Sequence, residues 1–306
     1  MSLSLKSLTK EYGAQKAVDE LSFDVSGGTI MGFLGPNGAG KSTTMKMVSC
    51  YISPTSGTAE VCGYDIHKNP LQVRKHIGYL PEHNPLYLDM YVREYLQFVA
   101  GIHKLDNKKK RAAEMIEMTG LGKEQHKLIG ALSKGYRQRV GLAQAMIHNP
   151  DVLILDEPTS GLDMNQLVDI RNLIKTLGQE KTVILSTHIM QEVQAMCDRV
   201  IIINNGKKVA DDPIASLSNR IAGENRITIN LLESNIDLAK FSAIKGVTKI
   251  SQEGDNIVII SNSKSDVRKP IFDTVVKSGW TLVGMKKDEI SVEDVFQKLT
   301  KGNTNA

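Results

Sequence analysis

The sequence predicts an α/β fold that carries an inserted helical block and ends in a small α+β appendage. Three observations carry this. The apolar run Ile30-Met31-Gly32-Phe33-Leu34 leads straight into Gly35-Pro36-Asn37-Gly38-Ala39-Gly40-Lys41-Ser42-Thr43, and a helix-compatible stretch follows. A second apolar run, Val152 to Leu155, ends in Asp156-Glu157-Pro158, the pattern of a buried parallel strand that delivers acids to the carboxyl edge of a sheet. Residues 90–147 show helical spacing without strands, and past about residue 223 a fresh pattern of strands and helices begins.

In chain order, residues 1–25 read as short strands: Leu3 and Leu5 alternate, as do Leu21, Phe23 and Val25 beyond the Tyr12-Gly13 turn. Tyr12, by its spacing alone, is a sheet tyrosine at the core edge. The strand from Ile30 then meets a G-x-x-x-x-G-K-[ST] pattern, and strand, Gly-rich turn and helix form the context in which that pattern cradles phosphate. Gly35, Gly38 and Gly40 let the loop curl so that its N–H groups converge on an anion, and the helix from about Lys41 adds its positive dipole end. Lys41 is expected to reach the terminal phosphates and the Ser42 hydroxyl to face Mg²⁺.

Pro54-Thr55-Ser56-Gly57 is a turn, followed by short strands within Thr58–Tyr64 and at Ile77–Leu80, the latter stopped by Pro81. Glu82 stands at that strand's end, where a carboxylate either faces a metal or is a solvated loop charge. In the helical block, Tyr91, Tyr95, Phe98 and Val99 fall near helical spacing, Ala112, Met115 and Ile116 do so again, and a third helix is expected from about Tyr136 to Ile147. Ser133 and Gly135 precede that helix and make a second, weaker candidate anion site. At the second buried strand, Asp156 is expected to hold Mg²⁺ and Glu157 to orient or deprotonate a water. Ser160–Asp163 is a turn into a helix over about Asn165–Leu177, and Thr182–Leu185 is a strand that ends in Ser186-Thr187-His188. Val200–Ile203 with Asn204-Asn205-Gly206 reads as strand and hairpin turn. In the appendage, Ile227–Leu231, Ile257–Ile260 and Trp280–Met285 read as strands, Val267–Val276 as a helix, and Ser291 with Asp294 opens a last helix through Leu299.

Composition narrows the function classes. Lys and Arg total 38 against 34 Asp and Glu, so the formal charge of +4 gives no argument for nucleic acid. Cys50, Cys62 and Cys197 form no C-x-x-C pair, which reads as reduced thiols rather than a disulfide frame or a zinc site. No apolar run nears the roughly 20 residues of a membrane span, and Met1–Lys6 lacks the core of a secretory leader, so a membrane role is expected to pass through a partner.

Taken in order over about residues 3–220, these motifs resemble an ABC-transporter ATP-binding subunit, a P-loop NTPase. Gly35–Thr43, with Gly35, Asn37, Gly38, Gly40, Lys41, Ser42 and Thr43, looks like the Walker A loop, and Val152–Glu157 the Walker B strand. Ser160–Asp163 resembles the D-loop, His188 the switch histidine, and Ser133 with Gly135 the family signature. The resemblance implies that Tyr12 stacks on adenine, that Glu157 and His188 are catalytic, and that Ser42, Glu82 and Asp156 face Mg²⁺. It also implies a head-to-tail dimer in which Ser133 and Gly135 close over the partner copy's ATP.

Two motifs depart from the family pattern: Lys134 and Tyr136 replace a glycine and the glutamine of Leu-Ser-Gly-Gly-Gln, and Glu82 replaces a glutamine. An acid and an amide both offer a hard oxygen, so the Mg²⁺ role survives at Glu82. These variants resemble exporter-type subunits, with Leu132–Pro150 similar to the gliding-motility-associated branch. The expected arrangement is an ATP-binding domain over 1–222, with a helical subdomain at about 90–147 and an N-terminal antiparallel β subdomain, followed by an α+β accessory domain over 223–306. The implied protein is a cytoplasmic ATPase, peripheral at the inner face of the cell membrane, that drives a membrane-spanning permease. Asn84–Tyr91 is expected to face that partner. The rival reading is a soluble ABC ATPase acting on nucleic acid or ribosomes, but such proteins usually carry two cassettes or a long coiled coil, and neither is present. A small-molecule kinase would share the phosphate loop but has no use for the 132–139 motif.

Overall fold

The computed structural model describes residues 1–217, 224–233, 236–254, 256–262 and 266–288. The chain divides into two compact units, Met1–Ile214 and Ala215–Ala306. The boundary expected at 222 falls in residues 218–223, outside the described ones, as does the helix expected from Ser291.

The first unit opens with a long hairpin, β1 (Leu3–Tyr12) and β2 (Gln15–Val25), whose alternating apolar residues are buried on one face. β3 (Ile30–Leu34) is buried at all five positions and feeds α1 (Lys41–Val48) through the Gly-rich loop. β4 (Ser56–Val61) and the short β5 (Tyr64–Asp65) complete an antiparallel sheet of order β2-β1-β4-β5. α2 (Pro70–His76) was not legible from periodicity, because Val73 is its one buried side chain, although Asn69 and Pro70 at its start are ordinary helix-opening residues. β6 (Ile77–Leu80) follows it directly.

The helical block contains α3 (Val92–Ile102), α4 (Lys108–Met118) and α5 (Lys134–Met146). α3 buries Val92, Tyr95, Leu96, Val99 and Ala100, while Tyr91 and Phe98, expected on the same stripe, are exposed. The stripe is set one position further along because Val92 packs inward as the first helical residue. β7 (Val152–Asp156), α6 (Met164–Gly178), β8 (Thr182–Thr187), α7 (Met190–Met196), β9 (Arg199–Asn204) and β10 (Lys207–Pro213) follow. They build a six-stranded sheet of order β10-β9-β3-β8-β7-β6, parallel except for the β9–β10 hairpin. That hairpin turns on Asn205 and Gly206, both at positive φ, as the Asn-Gly pair predicts. Because β3, β7 and β8 are neighbours, the phosphate loop, Asp156-Glu157 and Thr187-His188 all emerge at one carboxyl edge of the sheet. Among the described residues no helix is long and apolar enough to cross a membrane.

A turn of helix, α8 (Ile214–Leu217), ends this stretch. The second unit holds β11 (Glu224–Leu231), α9 (Ala239–Ser242), β12 (Val247–Glu253), β13 (Asn256–Asn262), α10 (Arg268–Lys277) and β14 (Leu282–Asp288). Its antiparallel sheet runs β12-β13-β11-β14, over a core of Ile227, Ile229, Phe241, Ile257, Ile259 and Ile271. Trp280, expected to open a strand, precedes β14 and packs its ring 5.7 Å from Phe241.

Candidate functional site

The phosphate loop is held between two backbones. A Cβ on Gly35 would lie 2.6 Å from the Ile203 carbonyl oxygen, and one on Gly40 would collide with the carbonyl of Ala17 on β2. Gly40 also takes φ 103, so glycine is required there on two counts. Lys41 is buried in a cleft whose walls it shares with Asn37, Gly38, Gly40, Ser42, Thr43, Glu82, Glu157, Ser160, His188 and Ala17. Its Nζ donates to the carbonyls of Gly35 at 2.8 Å and Pro36 at 3.2 Å, which folds the ammonium over the loop. Burial pushes the Lys41 pKa down, while the charges of Glu157, Asp156 and Glu82 pull it back up. A lysine desolvated this far is short of partners, and an arriving phosphate supplies them.

The acids stand opposite. Asp156, the last residue of β7, is 1% exposed, and its Oδ1 has no hydrogen-bond partner among the described residues. A buried carboxylate oxygen without a partner is costly, so this atom fits a cation ligand. Ser42, Glu82 and Asp156 share the wall of an adjoining cleft of 440 Å³. Their hydroxyl and carboxylate oxygens are the hard donor set that Mg²⁺ prefers.

Glu157 follows with φ 50, an uncommon backbone for a residue with a Cβ. Its N–H donates to Ser186 O at 2.9 Å and its own carbonyl accepts from Ser160 N at 3.1 Å, which holds that conformation. Its Oε1 lies 2.8 Å from His188 Nδ1, and Thr187 Oγ1 stands 3.5 Å from Oε2. Burial raises the Glu157 pKa, and the His188 hydrogen bond lowers it in part. A carboxylate whose pKa is raised by burial beside a phosphate loop is suited to take a proton from water.

One residue of this network had no signal in the sequence. Glu192 on α7 is 1% exposed and bridges two hydroxyls: Thr187 Oγ1 donates to its Oε2 at 2.8 Å and Thr159 Oγ1 to its Oε1. Thr187 Oγ1 in turn accepts from Ile189 N at 3.1 Å. Glu192 therefore ties the turn after Glu157 to the turn that carries His188. Its only sequence trace is a place four residues after His188 on a short helix.

The expected site residues do not all meet in this cleft. Asn37, Gly38, Gly40, Lys41, Ser42, Thr43, Glu82, Glu157 and His188 line it; Gly35 lies beneath the loop, and Asp156 opens on the adjoining cleft. Tyr12 does not line it. It sits at the tip of the β1–β2 hairpin, 53% exposed, with Lys10 Nζ 5.4 Å from its ring centre. Ser133 and Gly135 stand apart as well. Ser133 caps α5, its Oγ accepting from Tyr136 N at 3.4 Å, and its side chain is open to solvent. A Cβ on Gly135 would strike the side chain of Gln166 on α6, so the two helix starts are packed together.

Comparison with known proteins agrees with this geometry. The ABC transporter family matches residues 18–160. The bacitracin transport ATP-binding protein BcrA of Bacillus licheniformis is 36% identical, over 97% of this chain and 96% of that one. The linearmycin resistance ATP-binding protein LnrL of Bacillus subtilis is 33% identical, over 97% of this chain and 98% of that one. Among solved structures, a dimeric ATP-binding cassette in a post-hydrolysis state with ADP and Pi is 25% identical, with a TM-score of 0.65, over 69% of this chain and 98% of that one.

Proposed function

The chain belongs to the ATP-binding proteins of ABC transporters, and on that premise we propose that it powers a separate membrane-spanning subunit as an exporter, through an ATP-driven head-to-tail dimer. It is an ATPase. The observation that carries the mechanism is the Glu157–His188 contact of 2.8 Å at the edge of the cleft that holds Lys41. Lys41 and the loop N–H groups bind the phosphates of ATP. Glu157 accepts the proton of the attacking water, and His188 orients the carboxylate through its Nδ1. Ser42, Asp156 and Glu82 would hold Mg²⁺, which would supply charge neutralisation at the phosphate oxygens. Tyr12 supplies a stacking surface for adenine, for which its exposure at the hairpin tip leaves room.

The dimer reading is supported by the solvent-facing Ser133 at the start of α5, which has no nucleotide of its own chain to serve. The solved dimeric cassettes support it too. A bacitracin-transport relative and a linearmycin-resistance relative support export for resistance, and the motility-associated branch then rests on residues 132–150 alone.

Contact with the permease is assigned to the segment after Glu82. Leu86 is 8% exposed, whereas Tyr87 and Leu88 are 56% and 47% exposed, so the two residues after Leu86 form the outward face. Asn84 Nδ2 reaches the Arg137 carbonyl at 3.5 Å and leaves no room for a Cβ at Gly141, so this segment is keyed to α5.

The dimer is tested by light scattering of the Glu157→Gln protein with and without ATP. ATP should double its mass, and Ser133→Arg in the same background should leave ATP binding intact and abolish the doubling. An undiminished dimer signal from Ser133→Arg would refute the head-to-tail arrangement.

A further inference from the structure

We infer that Cys62, His76 and Asp151 form a binding site for a borderline-soft divalent cation of the zinc class, separate from the nucleotide cleft. The donors come from three places in the first unit: the two-residue turn between β4 and β5, the last residue of α2, and the residue before β7. One ligand atom from each lies within 4.8 Å of the others. None of the three lines either cleft that holds Ser42 and Glu82.

Each donor is fixed by contacts of its own. Cys62 N donates to Ser2 O at 2.9 Å. Asp151 N donates to His76 O at 3.1 Å, and Asp151 O accepts from Thr182 N at 3.1 Å. The His76 ring stacks on Tyr64, with centres 5.3 Å apart and planes 20° from parallel. The three donors converge, and to take an ion the His76–Asp151 pair has only to open from 2.5 Å to the roughly 3.3 Å that separates two ligands about 2.0 Å from a tetrahedral ion.

A plain His–Asp ion pair accounts for His76 Nδ1 standing 2.5 Å from Asp151 Oδ2. It does not account for a thiol inside the same sphere. Sulfur, imidazole nitrogen and one carboxylate oxygen suit zinc and its relatives, and they suit Mg²⁺ or Ca²⁺ poorly. Cys62 and His76 are half-buried and Asp151 is exposed, so a cation has a path in and a fourth position open to water or a further ligand. Bound there, it would pin the β4–β5 turn of the antiparallel sheet to α2 and to the start of β7.

Cobalt(II) is the probe, because a cobalt–thiolate bond gives a charge-transfer band in the near ultraviolet that oxygen and nitrogen ligands do not give. The full chain is titrated without nucleotide, in excess Mg²⁺ to fill the oxygen-rich positions. The wild type should show the band at one cobalt per chain, and zinc should abolish it. Cys62→Ser should lose the band, Cys50→Ser should keep it, and Asp151→Asn should bind zinc at least tenfold more weakly. Zinc should raise the Tm of the wild type and leave that of Cys62→Ser unmoved. No band in the wild type, or a band that survives in Cys62→Ser, overturns the site. Asp151→Asn, which keeps the backbone bonds of residue 151, decides the matter if Cys62→Ser fails to fold.

Discussion

Replacing Glu157 with glutamine should separate ATP binding from ATP hydrolysis. The side chain is 7% exposed, with Oε1 2.8 Å from His188 Nδ1. Glutamine keeps the shape and can still offer an oxygen to His188, but it cannot accept a proton from water. Loss of a positioned general base costs on the order of 10²–10⁴ in rate. At about 1.36 kcal/mol per decade this is roughly 3–5 kcal/mol of barrier. No stability is expected to be lost, because burial already disfavours the charge that the substitution removes. Single-turnover hydrolysis and fluorescent-nucleotide titration measure the two effects. ATP affinity should stay within about twofold, while turnover falls by about 10² or more.

A pH series adds a second reading. On the proposed mechanism Glu157 works as the carboxylate, so activity should fall as pH drops through its pKa, which burial raises above the ordinary value. His188→Ala deletes the hydrogen bond that pulls this pKa down, so the acid limb should move to higher pH. A Glu157→Gln enzyme that turns over at the wild-type rate refutes the assignment, and an unmoved limb in His188→Ala refutes the role given to the histidine.

Three further outcomes are expected. Tyr12→Ala should raise the ATP dissociation constant about fivefold or more, since aromatic stacking on a base is worth about 1–3 kcal/mol, while Tyr12→Trp should not; equal affinities by titration rule stacking out. Tyr87→Ser with Leu88→Ser should lower Tm somewhat, because the Tyr87 ring packs 5.9 Å from Tyr95 and 5.7 Å from Phe98, and should leave basal ATPase unchanged, yet abolish co-purification with the permease or stimulation by it. A variant that is stimulated normally removes this segment from the interface. Glu192→Ala strands the buried hydroxyl of Thr159 and leaves that of Thr187 to donate only to Glu157 at 3.5 Å, so it should lower stability by about 1–3 kcal/mol and slow turnover more than it weakens ATP binding. A wild-type melting curve contradicts the bridging role.

What could be read in the sequence was chemistry written contiguously. Gly35–Thr43 and Val152–Glu157 each hold an element and its functional residues in one stretch, so local pattern and site coincide. Glu192 was illegible because an acid on a seven-residue helix signals nothing until its burial is seen. The Leu86–Leu88 segment misled in another way. The whole of Asn84–Tyr91 was expected to face a partner, but the backbone turns Leu86 inward and Tyr87 and Leu88 outward. Tyr12, read from its spacing as a tyrosine at the core edge, instead ends β1 53% exposed at the hairpin tip, and spacing says nothing about its distance from the phosphates. The second unit was legible where strands were buried and regular, as in β11 and β13, and not where the half-exposed β12 carries its pattern weakly. The Cys62–His76–Asp151 cluster left no spacing to find, because its ligands lie in three separate segments.

The altered signature makes sense once its neighbours are seen. In the family pattern the residue after the serine is glycine, and here it is Lys134. Its side chain lies against Gly161, whose lack of a Cβ leaves space for the ammonium stem; a larger residue at 161 would be strained by the φ of 72 and would displace that flexible stem. Gly135 is pressed against Gln166 one turn further along. Asp163 caps α6 by accepting from Gln166 N at 2.9 Å, and Arg139 Nη2 binds Asp169 at 2.9 Å. The start of α5 and the start of α6 are therefore one packed block. Glu157 belongs to the same block through the Ser160 N–H that its carbonyl accepts. At its other face α5 is keyed to Asn84, two residues beyond Glu82. A shift at Glu82 or Glu157 thus has a packed route to Ser133 that runs within one chain, through Asn84 on one side and through Ser160–Asp163 on the other. On the proposed head-to-tail dimer, that route links Glu157 of one copy to the Ser133 assigned to the other copy's nucleotide.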